Sequence, residues 1–157
     1  ASYFDTIYIS LYKYMGAAAG AVLCGDKKVI EKMPHLVKIH GGTMYGNWAN
    51  AAMALHRLEG LETRLRDVVS RSAELFALLN KIPGITITAL NAGTNIYQLQ
   101  LGKEVDTKKM NASLRNTYNI RIPLPPDSNS RSFITVNETL LYRDNNYIVE
   151  AFKKAMV

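Results

Sequence analysis

Two short apolar segments, with a lysine and a run of tiny side chains between them, constrain the fold of this chain more than any other feature. Apolar and polar residues alternate from Ile7 to Leu11, which is the period of a strand with one face in a core. Lys13 is in phase with that apolar face, and the run Gly16-Ala17-Ala18-Ala19-Gly20 then leads into a second apolar strand at 21–24. The run of small residues lets another group approach the backbone closely. The sequence therefore predicts two strands whose tight connection carries one lysine.

A lysine in phase with an apolar face has a chemical interpretation. Burial of a lysine disfavours its ammonium form, and a neutral amine is the form that attacks an aldehyde to give a Schiff base. On spacing alone, the commoner explanation is a lysine at a strand end whose amine simply reaches water. Lys13 is therefore a candidate nucleophile. The alternative is that it is an ordinary solvent-facing lysine without a chemical role.

Residues 5–25, with the sequence DTIYISLYKYMGAAAGAVLCG, resemble the cofactor-lysine segment of the threonine aldolase and β-eliminating lyase group of pyridoxal-phosphate enzymes. The resemblance is specific over this segment, and the order of the elements is similar over nearly the whole chain. It implies that Lys13 is catalytic and holds pyridoxal 5'-phosphate covalently. It also implies that Ser10, three residues earlier, contacts the phosphate of the cofactor.

The same resemblance implies an α/β fold class, that of aspartate aminotransferase, which is called fold type I. Residues 1–46 are then the end of the large cofactor-binding domain, residues 47–82 a long linking helix, and residues 83–157 a small α+β C-terminal domain. We expect the chain to be the C-terminal portion of a longer protein whose upstream part is absent from this sequence.

The periodicity of the remaining residues predicts further elements. Leucines at spacings of three and four predict one long helix from about Asn47 to Asn80, with Gly60 as a kink or a point of close packing. Asp26 is a plausible cap for a short helix at 27–33, which Pro34 would end. The other predicted elements are strands at 85–90, 96–101, 119–122 and 132–136, and helices at 106–116 and 144–155.

Two adjacent glycines, Gly41 and Gly42, predict a loop that can adopt positive backbone dihedrals and expose N–H groups to an anion. The alternative is a simple turn, which is the commoner role of a Gly-Gly-Thr segment. In the family that the chain resembles, a glycine-rich loop here reaches the active site of a neighbouring subunit. The resemblance therefore implies contacts across a homodimer or homotetramer interface for His40, Gly41, Gly42 and Thr43. Of these, Gly42 and Thr43 are the candidate cofactor-binding residues.

Arg131 is the candidate substrate-binding residue. Alternation in the strand that follows places Arg131 on the same face as Phe133 and Thr135. A guanidinium group binds a carboxylate through two parallel hydrogen bonds, and the family carries an arginine for the substrate carboxylate at the start of this strand. A surface salt bridge is the alternative role, and Arg121 is the reserve candidate.

Charge and composition exclude several classes. The formal net charge is +6, but 19 basic residues are scattered among 13 acidic ones, so we expect no nucleic-acid partner. No apolar run is long enough to cross a bilayer, and we expect no membrane partner. The single cysteine, Cys24, cannot pair within the chain, which favours a reducing compartment, and we expect a cytoplasmic protein. We also expect no metal site.

The resemblance implies a lyase that acts on an amino acid, most like threonine aldolase, which cleaves a Cα–Cβ bond to give glycine and an aldehyde. Other fold type I reactions stay open, namely β-elimination, transamination and cysteine-desulfurase-like chemistry. A different class also stays open: if the chain works alone, it is a catalytically silent interaction module.

Overall fold

The computed structural model describes residues 2–91, 93–126 and 131–156 and shows a mixed α/β protein. The chain divides into two compact units, with the boundary after Leu61. Each unit contains its own antiparallel sheet. The prediction of an α/β fold class is thereby confirmed at this level, while the division at residues 46 and 82 stays a prediction.

The described residues of the first unit form a two-stranded sheet and three helices. These elements are β1 (Thr6–Ser10), β2 (Ala21–Gly25), α1 (Lys27–Ile30), α2 (Met33–Ile39) and α3 (Trp48–Leu58). The strands are antiparallel, with Thr6 opposite Gly25 and Ser10 opposite Ala21. Both predicted strands are confirmed, but β1 ends at Ser10, so Lys13 lies beyond it.

The prediction that Pro34 ends a helix is wrong. Asp26 does cap α1, since its carboxylate accepts a hydrogen bond of 2.8 Å from the N–H of Lys28. Pro34, however, lies in the first turn of α2. A proline costs nothing there, because the N–H groups of a first turn have no partner within the helix.

The prediction of one long helix at 47–82 is also wrong, because α3 ends at Leu58 and a separate helix, α4 (Leu61–Leu79), follows. Gly60 lies between them with a φ of +67°. This left-handed conformation is costly for residues with a Cβ and is incompatible with a continuous right-handed helix. The leucine spacing does not reveal the break, since each helix keeps its own apolar face.

The second unit packs helices against a three-stranded sheet. After α4 come β3 (Ile85–Ala89), β4 (Ile96–Leu101), α5 (Thr107–Asn116), β5 (Arg131–Thr135), a 3-10 helix (Glu138–Tyr142) and α6 (Asn145–Ala155). The strand order is β3-β4-β5, and both pairs are antiparallel. The predicted strands at 85–90, 96–101 and 132–136 and the two predicted helices are confirmed to within a residue at each end.

The strand predicted at 119–122 does not form. Asn119 has a φ of +53°, and the N–H of Ile120 donates to the carbonyl of Leu114, 2.8 Å away, at the end of α5. Three prolines at 123, 125 and 126 then remove N–H groups that a ladder needs. The apolar alternation of 119–122 is therefore present without strand pairing.

One face of the sheet forms the core of the second unit. Leu99, at the centre of β4, has no exposed surface, and it lies in one cluster with Met110 of α5 and Phe152 of α6. Asn80, after α4, fixes the edge of the sheet, because its side chain accepts from the N–H of Ile87 at 2.7 Å and donates to the same residue's carbonyl at 3.0 Å. Apolar burial therefore stabilises this unit from within.

The first unit differs in this respect. Ala17 and Ala54 are the buried hydrophobic residues among those described in it, and both are small. Large apolar side chains are exposed instead, including Trp48 at 80% and Leu55 at 71%. The described residues of the first unit consequently form little apolar core of their own.

Replacing Asp106 by Ala tests the capping of α5. The Asp106 carboxylate accepts from the N–H groups of Lys108 and Lys109, each at 3.0 Å. Loss of such a cap costs about 1 kcal/mol, and we expect the free energy of unfolding of the second unit to fall by that amount in urea titrations. The control is Asp67→Ala, an exposed aspartate within α4, for which we expect a change within about 0.5 kcal/mol. Equal losses in the two variants would contradict the capping role.

Candidate functional site

The connection between β1 and β2, residues 11–20, is a compact loop that we call the lysine loop. The N–H of Leu11 donates to the carbonyl of Gly20 at 3.0 Å, which extends the ladder by one step beyond the strands. Inside the loop, the N–H of Ala17 donates to the carbonyl of Leu11 at 3.1 Å, and that of Gly16 donates to the carbonyl of Lys13 at 3.1 Å. These bonds constrain the backbone on both sides of Lys13.

Lys13 is exposed, so the prediction that it is in phase with a buried face is wrong. The strand period does not extend to Lys13, because the chain bends after Ser10. The Lys13 amine lies 5.9 Å from the centre of the Tyr12 ring, and within the described part of the chain no carboxylate forms an ion pair with it. This geometry leaves the amine accessible to a ligand.

Asn50, on α3, holds the far side of the lysine loop. Its side-chain oxygen accepts from the N–H of Ala18 at 3.1 Å and from that of Ala19 at 3.3 Å. Its amide nitrogen donates to the side-chain oxygen of Asn47 at 2.6 Å, which fixes the orientation of the Asn50 side chain. We call Asn47 and Asn50 the asparagine clamp. The clamp satisfies two loop N–H groups that the sheet leaves without partners.

The asparagine clamp is not among the residues predicted from the sequence, although the sequence contains a signal for it. Two asparagines three positions apart at the start of a helix share one face, so their side chains can reach the same loop. Neither asparagine is assigned a role by the apolar periodicity that predicts this helix. Only the folded structure brings Asn50 next to residues 18 and 19.

The tiny side chains of the lysine loop permit close packing against α3 and its cap. A Cβ atom added to Gly20 would lie 3.3 Å from Nδ2 of Asn47, and one added to Gly16 would lie 3.6 Å from Cγ of Arg57. Ala17 is 5% exposed, and a larger side chain has little room there. The prediction that another group approaches this backbone closely is confirmed, and that group is a helix of the same unit.

The adjacent glycines end α2 and do not offer free N–H groups. Gly41 has a φ of +73°, its N–H donates to the carbonyl of Lys38 at 3.1 Å, and the N–H of Gly42 donates to the carbonyl of Val37 at 2.8 Å. This pair of bonds is a Schellman motif, the usual end of a helix at a left-handed glycine. The prediction of a positive backbone dihedral is confirmed at Gly41, but the prediction that these N–H groups face an anion is wrong.

Arg131 begins β5 and lies on the exposed face of the second sheet. Phe133 and Thr135 share this face, as predicted, and Gln100 is the neighbour of Arg131 on β4. Among the described residues no carboxylate pairs with Arg131, so the surface salt bridge considered as its alternative role is not seen there. The guanidinium group is thus accessible on a polar sheet surface.

The candidate site residues fall in both units. Ser10 is the half-buried last residue of β1 and precedes the lysine loop, while Gly42 and the exposed Thr43 follow α2 in the same unit. Arg131 and Arg121 belong to the second unit. The structure thus places Ser10 and Lys13 on one hairpin.

The sequence model of the beta-eliminating lyase family matches residues 1–101 of the 157 in this chain. The chain belongs to the beta-eliminating lyase family. The match includes the whole lysine loop and the asparagine clamp, so the resemblance of residues 5–25 to this group is confirmed.

Curated relatives of this beta-eliminating lyase family member are threonine aldolases. Low-specificity L-threonine aldolase 1 of Arabidopsis thaliana is 26% identical over 155 residues, which is 98% of this chain and 42% of the relative. A low-specificity L-threonine aldolase of Candida albicans is 41% identical over 58 residues, or 37% of this chain and 16% of that protein. The chain therefore spans about two fifths of the length of the Arabidopsis relative.

Two solved structures have the same fold over nearly the whole chain. One, from Exiguobacterium sp. 255-15, is described as a candidate aromatic amino acid beta-eliminating lyase/threonine aldolase and gives a TM-score of 0.79 at 21% identity, covering 99% of this chain and 45% of that one. The other is a candidate L-allo-threonine aldolase of Listeria monocytogenes EGD-E, with a TM-score of 0.77 at 15% identity, covering 99% and 44%. The chain resembles parts of threonine aldolase structures.

None of the helices in the described ranges is both long enough and apolar enough to cross a membrane.

Replacing Asn50 by Ala tests the clamp directly. The N–H groups of Ala18 and Ala19 lose their acceptor, and we expect their hydrogen exchange, measured by NMR, to accelerate about fivefold or more, since a lost hydrogen bond costs about 1 kcal/mol or more. Exchange at residues 7–9 of β1 should stay unchanged. Asn111→Ala, an exposed asparagine on α5, serves as the matched control. Unchanged exchange at 18 and 19 in the Asn50 variant would show that the clamp does not hold the loop.

Proposed function

We propose that this chain forms part of a pyridoxal-phosphate-dependent lyase of fold type I that acts on an amino acid, most similar to threonine aldolase. The reaction would cleave the Cα–Cβ bond of a β-hydroxy amino acid to give glycine and an aldehyde. The observation that carries the proposal is the accessible Lys13 amine on a loop held by its own hydrogen bonds and by Asn50. Membership in the beta-eliminating lyase family supports it.

The residues present fit pyridoxal 5'-phosphate. The Lys13 amine is exposed and, within the described ranges, has no carboxylate partner that would compete with an aldehyde. Ser10 lies at the end of the adjacent strand and offers a hydroxyl donor for a phosphate oxygen. Lys13 would bind the cofactor aldehyde, and Ser10 would bind its phosphate.

The glycine-rich segment offers fewer free hydrogen-bond donors for the cofactor than the sequence predicts. The N–H of Gly42 is already bonded to the carbonyl of Val37, so any cofactor contact of Gly42 would not use a free N–H. The exposed Thr43 hydroxyl is the more suitable donor in this segment. We propose that the Thr43 hydroxyl contacts the cofactor of a neighbouring subunit, across the interface of a homodimer or homotetramer.

The exposed sheet face of the second unit supports a substrate role for Arg131. A guanidinium group without a carboxylate partner among the described residues can bind the α-carboxylate of an amino acid by donating two parallel hydrogen bonds to it. Such a pair fixes the orientation of the substrate before a bond breaks. Arg131 would therefore bind and orient the substrate and would take no part in proton transfer.

The cofactor, when bound, supplies an electron sink that stabilises the carbanion left when a bond to Cα breaks. Lys13 would have a second role, as a base. Once its amine is no longer bonded to the cofactor, it can take up and return a proton at Cα, because a neutral amine is a general base. The lysine loop would keep that amine close to its position when bound.

Replacing Lys13 by Ala tests the cofactor role in the protein made from its full reading frame. We expect the loss of absorbance above about 400 nm, because a protonated Schiff base needs the lysine amine. Borohydride reduction followed by peptide mapping should label Lys13 in the unmodified protein. Lys28→Ala, an exposed lysine on α1, should keep both signals. Absence of any label, in a folded protein supplied with the cofactor, would favour the silent interaction module.

Replacing Arg131 by Ala tests the substrate role. The cofactor spectrum should be retained, while the KM for the amino acid should rise roughly tenfold or more, since a hydrogen bond to a charged group contributes about 1.5–3 kcal/mol. Arg115→Ala, an exposed arginine at the end of α5, is the matched control and should leave KM unchanged. An unchanged KM in the Arg131 variant would remove this residue from the site. Product analysis of the unmodified protein would distinguish aldol cleavage from β-elimination and transamination.

A further inference from the structure

The second unit contains a cavity of about 500 Å³ that the proposed lyase reaction does not use. It lies beside the segment 119–122, the end of β5 and the 3-10 helix. Its apolar walls come from α4, α6 and the neighbouring strand, and include Leu75, Phe76, Leu79, Ile134, Ile148 and Phe152. Cavities of this size are in the range that holds small molecules, and neither Lys13 nor Arg131 lines it.

The polar lining of the cavity carries positive charge. Arg121 and Arg143 line it, whereas the described lining residues include neither an aspartate nor a glutamate. Glu138, on the 3-10 helix nearby, forms an ion pair with Arg64 of α4 at 3.5 Å, so its charge is compensated within the protein. The walls of the cavity therefore favour an anion.

The chain around Arg143 is held in place by neighbouring residues. Nη2 of Arg71 donates to the carbonyl of Arg143 and, at 3.3 Å, to the side-chain oxygen of Asn145. The guanidinium carbon of Arg143 lies 5.2 Å from the centre of the Tyr147 ring, at cation–π distance. Because these contacts order the rim before any ligand arrives, less conformational entropy is lost on binding.

We propose that this cavity binds a small molecule with an apolar body and a single carboxylate. The apolar body would bury against the side chains of α4 and α6, and the carboxylate would accept hydrogen bonds from Arg121 and Arg143. Asn119, Asn137 and Tyr142, which also line the cavity, add hydrogen-bonding groups around the carboxylate. The proposal is independent of the cofactor chemistry of Lys13.

The sequence gives Arg121 a different role, as the reserve residue for the substrate carboxylate. Its position beside an apolar cavity instead favours a ligand whose body is larger than a short polar amino acid. A phenyl or branched aliphatic group fits an apolar wall of this kind, whereas acetate would leave the cavity largely unfilled.

The test uses 4-phenylbutanoate and its neutral counterpart 4-phenylbutanamide with the whole chain. Methyl NMR shifts of Ile122, Ile134 and Leu140, which line the cavity, report binding at this place. We expect the carboxylate to shift these signals with a dissociation constant on the order of 1 mM. The amide should bind about tenfold more weakly, because it lacks the charge that the arginines recognise. Acetate should leave the signals in place.

Matched variants locate the carboxylate. Arg121→Gln and Arg143→Gln should each weaken 4-phenylbutanoate about tenfold or more and leave the amide unaffected. Arg115→Gln, an arginine that does not line the cavity, should change neither ligand. Circular dichroism of each variant confirms that the fold is retained.

Three results would overturn the proposal. One is the absence of shifts at the cavity methyl groups with 4-phenylbutanoate in the unmodified chain. Another is equal binding of the carboxylate and the amide, which would show that the arginines do not contribute. The third is a loss of binding in Arg131→Gln with no loss in Arg121→Gln or Arg143→Gln, which would place the carboxylate on the exposed sheet face. The cofactor spectrum does not enter this test, so its failure and a failure of the lyase proposal are separate outcomes.

Discussion

The register of β4 determines which residues of the second unit are available for function. Leu99 and Leu101 face the helices and are buried, so Gln98 and Gln100 must face the other way. Pairing carries this alternation to β5, where Arg131 lies opposite Gln100. A slip of one residue would bury Arg131 among apolar side chains and expose the core leucines. Such a slip is strongly disfavoured, because the leucines would lose the free energy of apolar burial. The exposed arginine is therefore a consequence of how the core packs.

The lysine loop is held by a different interaction. The first unit buries few apolar side chains among its described residues, and its loop is fixed by hydrogen bonds within the backbone and from Asn50. Directional bonds hold a backbone in place without surrounding the lysine with apolar groups. Lys13 therefore remains accessible while the peptide groups next to it are constrained. This combination suits a residue that must form a bond with a ligand and later be released.

The sequence predicted much of the fold because its patterns are local. The strand at 96–101 and the cap at Asp26 depend on neighbouring residues alone, and both predictions are confirmed. The break at Gly60 was harder to predict, because an isolated glycine is compatible with a kink, a close contact or a helix end. The failed strand at 119–122 depends on hydrogen bonding between Ile120 and the end of α5, which no pattern within the segment reveals.

The candidate site shows the same division between local pattern and long-range contact. The sequence by itself determined the family, the lysine between two strands and the face shared by Arg131, Phe133 and Thr135, because these follow from motif and from alternation. Only the tertiary structure decided that Lys13 is exposed, that Asn50 binds the lysine loop from 31 and 32 positions along the chain, and that Arg121 and Arg143 line one cavity. The physical reason is that hydrogen bonds and burial between distant segments depend on the path of the chain in space, which periodicity does not encode.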